Sequence, residues 1–218
     1  MGFLLYFGGI MELTKTDMVA IEAGDSSYIN NKGADLYTEG KYDLAIEYYR
    51  IAASMGDEHS ISNLGYCYLY GRSIEKNPSL AIAYFKLAAK KDDIDALYKL
   101  GDIYKRGLGV EKDKSLALYY FEKALNAFHK NNYASFEYYP SLFLSMAQEY
   151  MPNGNYKLDL RRACDYLHMA IEGYEFQIGQ GSTFYAEALK MAQSLYADPM
   201  FDEIKHAKFC DFHDDCTE

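Results

Sequence analysis

Four side chains near the C-terminus have the types that bind metal: His206, Cys210, His213 and Cys216, spaced four, three and three apart. A zinc site needs neutral imidazoles and thiolates converging tetrahedrally on one ion. On one continuous helix these four lie along a stripe about 15 Å long, at ~1.5 Å rise per residue, too far for a single ion. Zinc would require the helix to break near Asp211, or a second chain to contribute. The plainer reading is a frayed terminal cap with Phe209 and Phe212 packed inward, and no metal or cofactor is expected.

Other chemistry is thin. Asp92-Asp93 and Asp214-Asp215 are adjacent carboxylates. Adjacent side chains on a helix or turn point apart, so both pairs read as solvated surface rather than as acid–base partners. The Gly107-Leu108-Gly109 run follows no strand pattern, so it is not a phosphate cradle. No Gly-x-Ser-x-Gly, His-Glu-x-x-His or Walker pattern occurs. Cys67 and Cys164 sit inside helical patterns and read as inert small apolar residues. The expectation is a chain that is not an enzyme, with no catalytic residues.

The composition narrows the partners. The 218 residues carry a formal charge of −10. An acidic surface repels phosphate backbones and anionic lipid, so no nucleic acid and no membrane is expected, and a basic partner fits better. The chain has 23 tyrosines, 12 phenylalanines, no tryptophan and only four prolines, the last of which suits an all-helical chain. The four cysteines do not follow any internal repeat, which points to a reducing, cytoplasmic setting. Gly2 to Ile10 is apolar but too short to span a bilayer. It lacks the basic region and cleavage site of a secretory signal. Met11 is an alternative start, and the segment could instead pack as a strand or helix on the first helical unit.

The elements that position any site repeat every 36 residues. Leu64, Gly65, Tyr68 and Gly71 recur as Leu100, Gly101, Tyr104 and Gly107. Ala45, Ala81 and Ala117 keep the same step, as do Tyr48, Tyr84 and Tyr120, then Tyr49, Phe85 and Phe121, then Ala52, Ala88 and Ala124. A period of this size means stacked supersecondary units, each too small to bury its own apolar face. Each unit reads as two helices. In the third unit the first helix is roughly Ile94 to Lys105. A glycine inside it costs about 1 kcal/mol of propensity, so Gly101 must let the partner helix approach. Gly107 ends that helix in the left-handed conformation, and Asp113 caps the next, as Asn77-Pro78 does one unit earlier. Ile74 and Val110 tuck under the helix pairs. On the second helix Leu116, Ala117, Tyr120, Phe121, Ala124 and Leu125 form an apolar stripe.

Two units deviate. Unit one has an inter-helix loop four residues shorter: Gly33 to Ala45 spans less than Gly65 to Ala81. A fourth unit is displaced by 46 residues, mapping Tyr104 to Tyr150, Asp113 to Asp159, Ala117 to Ala163, Tyr120 to Tyr166 and Ala124 to Ala170. The ten extra residues fall between Asn126 and Tyr139. Their aromatics (Tyr133, Phe136, Tyr138, Tyr139 and nearby Phe143) either join a binding face or pack on unit four from a longer helix. A helix at about Ser182 to Tyr196 comes next, then a capping helix from Pro199 to Phe212. The organisation expected is an unassigned segment at 1–24, a repeat domain at 25–198 and a capping helix with tail at 199–218.

The pattern Leu-Gly-x-x-Tyr-x-x-Gly-x-Gly-Val-x-x-Asp-x-x-x-Ala-x-x-Tyr-Phe-x-x-Ala resembles the Sel-one-like repeat (SLR), of the tetratricopeptide-like superfamily. Leu100 to Ala124 matches almost throughout. Leu64 to Ala88 matches with Ser73 in place of the second loop glycine. Gly33 to Ala52 looks more like an ordinary tetratricopeptide unit, and Tyr150 to Ala170 matches weakly, with Ala147 where glycine is expected. The resemblance implies an all-α, right-handed α-solenoid of about four antiparallel helix pairs with a C-terminal capping helix. It also implies adaptor or scaffold work. A secreted, disulfide-stapled branch of the family has been linked to penicillin binding, and this chain lacks its paired cysteines.

In such arrays the first helices line the concave surface. Positions off the packing stripe give Asn30 and Tyr37; His59, Ser62, Tyr66, Leu69 and Tyr70; Asp95, Tyr98, Asp102, Lys105 and Arg106; then Leu144, Gln148 and Met151. Tyrosine there offers large contact area with a polar tip. The function expected is non-catalytic binding of a protein or peptide in this groove. The alternative is an acidic inhibitor or immunity-type protein that masks a basic toxin or nuclease surface.

Overall fold

The computed structural model describes residues 2–6, 9–130, 136–152, 154 and 158–206. Its first element is a hairpin: β1 (Gly2–Tyr6) pairs antiparallel with β2 (Gly9–Leu13), Gly2 opposite Leu13 and Tyr6 opposite Gly9. The apolar N-terminal segment is therefore a strand pair. Met11 and Leu13 at its end are buried with Ala20, Ile29, Tyr48 and Ala52. Helix α1 (Lys15–Ala23) comes next, closed by a capping box in which Thr14 and Asp17 satisfy each other's backbone N–H groups.

Beyond the hairpin the first compact unit, Met1–Ala127, is an all-α solenoid of stacked pairs. Helices α2 (Ser26–Thr38) and α3 (Tyr42–Ser54) pair, then α4 (Glu58–Tyr70) and α5 (Pro78–Ala88), then α6 (Ile94–Arg106) and the start of α7 (Lys114–Lys130). Helix α3 also packs on α4, and α5 on α6, so each pair leans on the next. The expected caps are in place: Asn77 and Asp113 accept from the backbone N–H of Leu80 and Leu116 at 3.0 and 2.9 Å. Gly71 and Gly107 end α4 and α6 with φ of 69° and 71°, a conformation glycine adopts without strain.

The 36-residue step has a physical cause in two contacts shared by units two and three. A Cβ placed on Gly101 would lie 2.5 Å from the Phe121 ring, and one on Gly65 would lie 2.8 Å from the Phe85 ring. Both phenylalanines are fully buried, as are Ala81 and, nearly so, Ala117. The second contact is a tyrosine stack between the helices of a pair: Tyr68 on Tyr84 with centroids 5.4 Å apart, Tyr104 on Tyr120 at 5.8 Å.

The second compact unit, Phe128–Glu218, holds α8 (Pro140–Tyr150), α9 (Leu160–Gly179), α10 (Ala186–Tyr196) and α11 (Asp202–His206). Helices α8 and α9 pair, and α10 packs on α9. The 46-residue displacement is visible in detail. Tyr150 stacks on Tyr166 at 5.9 Å, and Asp159 caps α9 by accepting from the Arg162 backbone N–H at 3.0 Å. Where units two and three have glycine against phenylalanine, this pair has Ala147 and Leu167, both fully buried. An added methyl is matched by a smaller partner. Part of the inserted stretch lengthens α7 to Lys130, and Phe143 packs edge-on against Phe128 at 5.2 Å. Tyr138, 61% exposed, rests against Phe176. Tyr133 lies outside the described residues. The expected cap from Pro199 to Phe212 is a 3-10 turn (Pro199–Phe201) leading into α11; the rest lies outside the described residues.

Candidate functional site

The repeat contacts set the site. Phe85, held close by Gly65, meets the Tyr66 ring edge-on at 5.2 Å, and Phe121, held by Gly101, lies 6.0 Å from the Tyr98 ring. Two tyrosines of successive first helices are thus braced by the rings that define the units. Between them lies Lys99, only 8% exposed, with its Nζ 5.3 Å from both ring centroids and 3.5 Å from Asp102 Oδ2. Two aromatic faces and a carboxylate compensate the burial of this ammonium. Asp102 also reaches Arg106 at 3.5 Å. Tyr70 stacks on Tyr66 at 6.3 Å and is half exposed.

At the head of this face, His59 Nδ1 lies 2.9 Å from Asp93 Oδ2. The Asp93 side chain is fully buried and caps α6, accepting from the Ala96 backbone N–H at 2.7 Å. Its second oxygen makes no aligned hydrogen bond, so its tie to His59 is a charge contact. The Asp93 carboxylate outweighs the burial of the imidazole and raises His59 to about 9, so the ring is charged at neutral pH. Asp95, in the first turn of α6, is pushed up to about 6 by burial and by Asp93, against the opposing pull of His59 and Lys99. Burial also holds the Tyr66 phenol well above its ordinary value.

The structure thus gathers His59, Tyr66, Tyr70, Asp95, Tyr98 and Asp102 on one face. Lys105 and Arg106 extend it, Lys105 with its Nζ 5.8 Å from the Phe121 ring centroid. Ser62 and Leu69 are each only 2% exposed and contribute packing rather than surface. The reason is that α4 packs against α3 and α5 at once, so its buried face is wider than one stripe. Tyr37 is half-buried on α2 against Tyr42. Asn30 accepts from Ser60 and Asn63, which seals that part of the face with side-chain hydrogen bonds. Leu144 and Met151 are buried in the second unit, where Gln148 Nε2 lies 3.8 Å from Met191 Sδ.

Two groups at the face escape a reading of the sequence. Lys99 is not singled out by spacing or motif, and a lysine in a helix carries no sign of its burial. Asp93 reads as solvated surface beside Asp92, yet it is buried as an N-cap; an aspartate just ahead of an apolar helical run is the signal that could have marked it. Cys67 and Cys164 are buried free thiols, Cys67 pushed by burial up to about 12. Of the C-terminal quartet, Cys210, His213 and Cys216 lie outside the described residues, and for His206 only the backbone is described. Among the described residues no group of three His, Cys, Asp or Glu is placed to hold a metal ion, and no helix is long and apolar enough to cross a membrane. Elsewhere in the first unit a recess of about 580 Å³ opens between α3 and the loop after α4, beside Asp43, Arg50 and Lys76. Arg50 there is matched by Glu47 at 2.6 Å.

Comparison with known proteins agrees with this architecture. A crystallised Sel1 repeat protein from Oxalobacter formigenes is 20% identical, with 85% of this chain and 77% of that one covered and a TM-score of 0.57. The c5321 protective antigen of uropathogenic Escherichia coli, described as displaying an SLR fold, is 17% identical, with 81% and 49% covered and a TM-score of 0.45. No curated protein matches the chain. The Sel1 repeat family model matches residues 20–57, 59–93 and 94–127; the third match begins with α6 and the second one residue into α4. Residues 20–127 are thus three consecutive Sel1 repeats, the second and third built on the Gly65/Phe85 and Gly101/Phe121 contacts, and over that part the chain is a Sel1 repeat (SLR) protein.

Proposed function

We propose that this chain is a non-catalytic adaptor that binds a protein or peptide along the α2–α4–α6 face, with Tyr66, Tyr70 and Tyr98 as its anchors. Sel1 repeats generally mediate protein–protein interaction and are typically non-catalytic modules. The observation that carries the reading is the tyrosine face itself. Its rings are braced from behind by Phe85 and Phe121, while Tyr70 remains 48% exposed. Rigid aromatic surface with polar tips binds at low entropic cost. A cytoplasmic setting fits the free thiols of Cys67 and Cys164, and the charge of −10 disfavours nucleic acid and anionic membrane.

Replacing Tyr66, Tyr70 and Tyr98 together by alanine is expected to abolish capture of the natural partner from the native cell while far-ultraviolet circular dichroism keeps its helical signal. Capture that survives unchanged in a folded triple variant contradicts the assignment of this face.

A further inference from the structure

We propose that the α4–α6 face anchors an arginine or lysine side chain of an extended basic peptide, its cation on the Asp95 carboxylate beside the rings of Tyr66 and Tyr98. The inference rests on the interaction face described above and names the chemistry of its occupant.

The charged groups of this face are paired, with one exception. Lys99 is matched by Asp102 at 3.5 Å, and His59 by Asp93 at 2.9 Å. Asp57, buried at the head of α4, is used as its N-cap, accepting from the Ser60 backbone N–H at 2.7 Å. Asp95 is then the carboxylate of this face with no hydrogen bond or ion pair among the described residues, and it is only partly exposed. A partly desolvated anion with no cation in direct contact raises the free energy of the face, and a cation arriving on it recovers part of that cost. The groups that face it are Asp93 from its own helix, His59 and Tyr66 from α4, and Lys99 one turn on. Aromatic walls suit an organic cation, and Tyr66 and Tyr98 already hold one ammonium, that of Lys99, at cation–π distance. A bare metal ion fits less well, because one carboxylate is not an oxygen cage.

The test pans a phage-displayed library of random peptides on the intact chain and measures the enriched peptides against variants. Enrichment of arginine or lysine is expected, with affinity falling at least tenfold in Asp95→Asn and staying unchanged in Glu111→Gln, which removes the same charge from an exposed loop. Wild-type affinity should also fall as pH drops from about 7 to about 5, where Asp95 takes up its proton, and Asp95→Asn should lose that dependence. Asparagine is a modest change in a partly exposed first turn, and circular dichroism checks that the variant folds. Enriched peptides that need Tyr66 and Tyr98 but carry no basic residue, or that bind Asp95→Asn as well as wild type, overturn the inference and leave the interaction face standing. Equal losses in Asp95→Asn and Glu111→Gln reduce it to general attraction to an acidic protein and also overturn it. Failure to enrich any peptide that depends on those tyrosines overturns both.

Discussion

Phe121→Ala is expected to lower the free energy of unfolding by about 3–5 kcal/mol. The ring is fully buried in the gap that Gly101 leaves open, and it braces Tyr98 from behind. The loss should fall high in that range, because the facing residue has no side chain with which to fill the cavity. Urea unfolding checks it, with an unchanged denaturant slope marking a loss of stability rather than a change of native compactness. A loss below about 1 kcal/mol would mean that the ring is not packed as described.

A second large effect is expected at Asp17. Its carboxylate is fully buried. It accepts from Lys32 Nζ at 2.6 and 2.8 Å, from Tyr48 Oη at 2.9 Å, from Tyr28 Oη at 3.3 Å and from the Thr14 backbone N–H at 2.7 Å. Asp17→Ala strands all of these donors, and breaking a buried pair in this way costs ~3–5 kcal/mol. The same group makes stability depend on acid. Burial would raise the pKa of Asp17, but the hydrogen bonds from Lys32, Thr14 and Tyr48 outweigh it and hold the carboxyl at about 2, below its ordinary 3.8. The contribution is therefore complete above about pH 4 and is lost as pH falls toward about 2, an effect on the order of 2 kcal/mol. Denaturant titrations at neutral and acid pH should show a smaller acid sensitivity in Asp17→Ala than in wild type. Parallel pH profiles in the two proteins would remove Asp17 from the acid response.

These two sites differ in how far the sequence reveals them. The Gly101–Phe121 contact is legible because Gly65 and Phe85 repeat it 36 residues earlier, and a glycine inside a helix demands a compensating approach. The tyrosine stacks are legible for the same reason, even through the 46-residue displacement to Tyr150 and Tyr166. The Asp17 cluster has no counterpart among the described residues of the other units. It joins residues 15 and 31 positions apart and leaves no periodic trace. The N-terminal hairpin is hidden similarly, since a short apolar run does not distinguish strand from helix. On the proposed interaction face, reading one helical face puts His59, Tyr66, Asp95 and Tyr98 on the same side, as the structure does. Ser62 and Leu69 are buried instead of exposed because an interior helix is covered on two sides, which one helix's periodicity does not report. Asp93 fails because adjacency to Asp92 says nothing about capping.

The central claim is that the first and second helices of the three Sel1 repeats meet at a glycine–ring contact in a shared register, Gly33 on Tyr49, Gly65 on Phe85 and Gly101 on Phe121. A double-mutant cycle on Gly101→Ala and Phe121→Leu tests it most directly. Taken alone, Gly101→Ala gains about 1 kcal/mol of helix propensity. The overlap of its new methyl with the ring outweighs that gain, for a net loss of ~1–3 kcal/mol. In the Phe121→Leu background the same change should cost nothing or stabilise, because the fourth pair already holds alanine and leucine at these places as Ala147 and Leu167. The predicted result is a coupling of about 1 kcal/mol or more favouring the double variant; effects that add within ~0.5 kcal/mol would contradict the account.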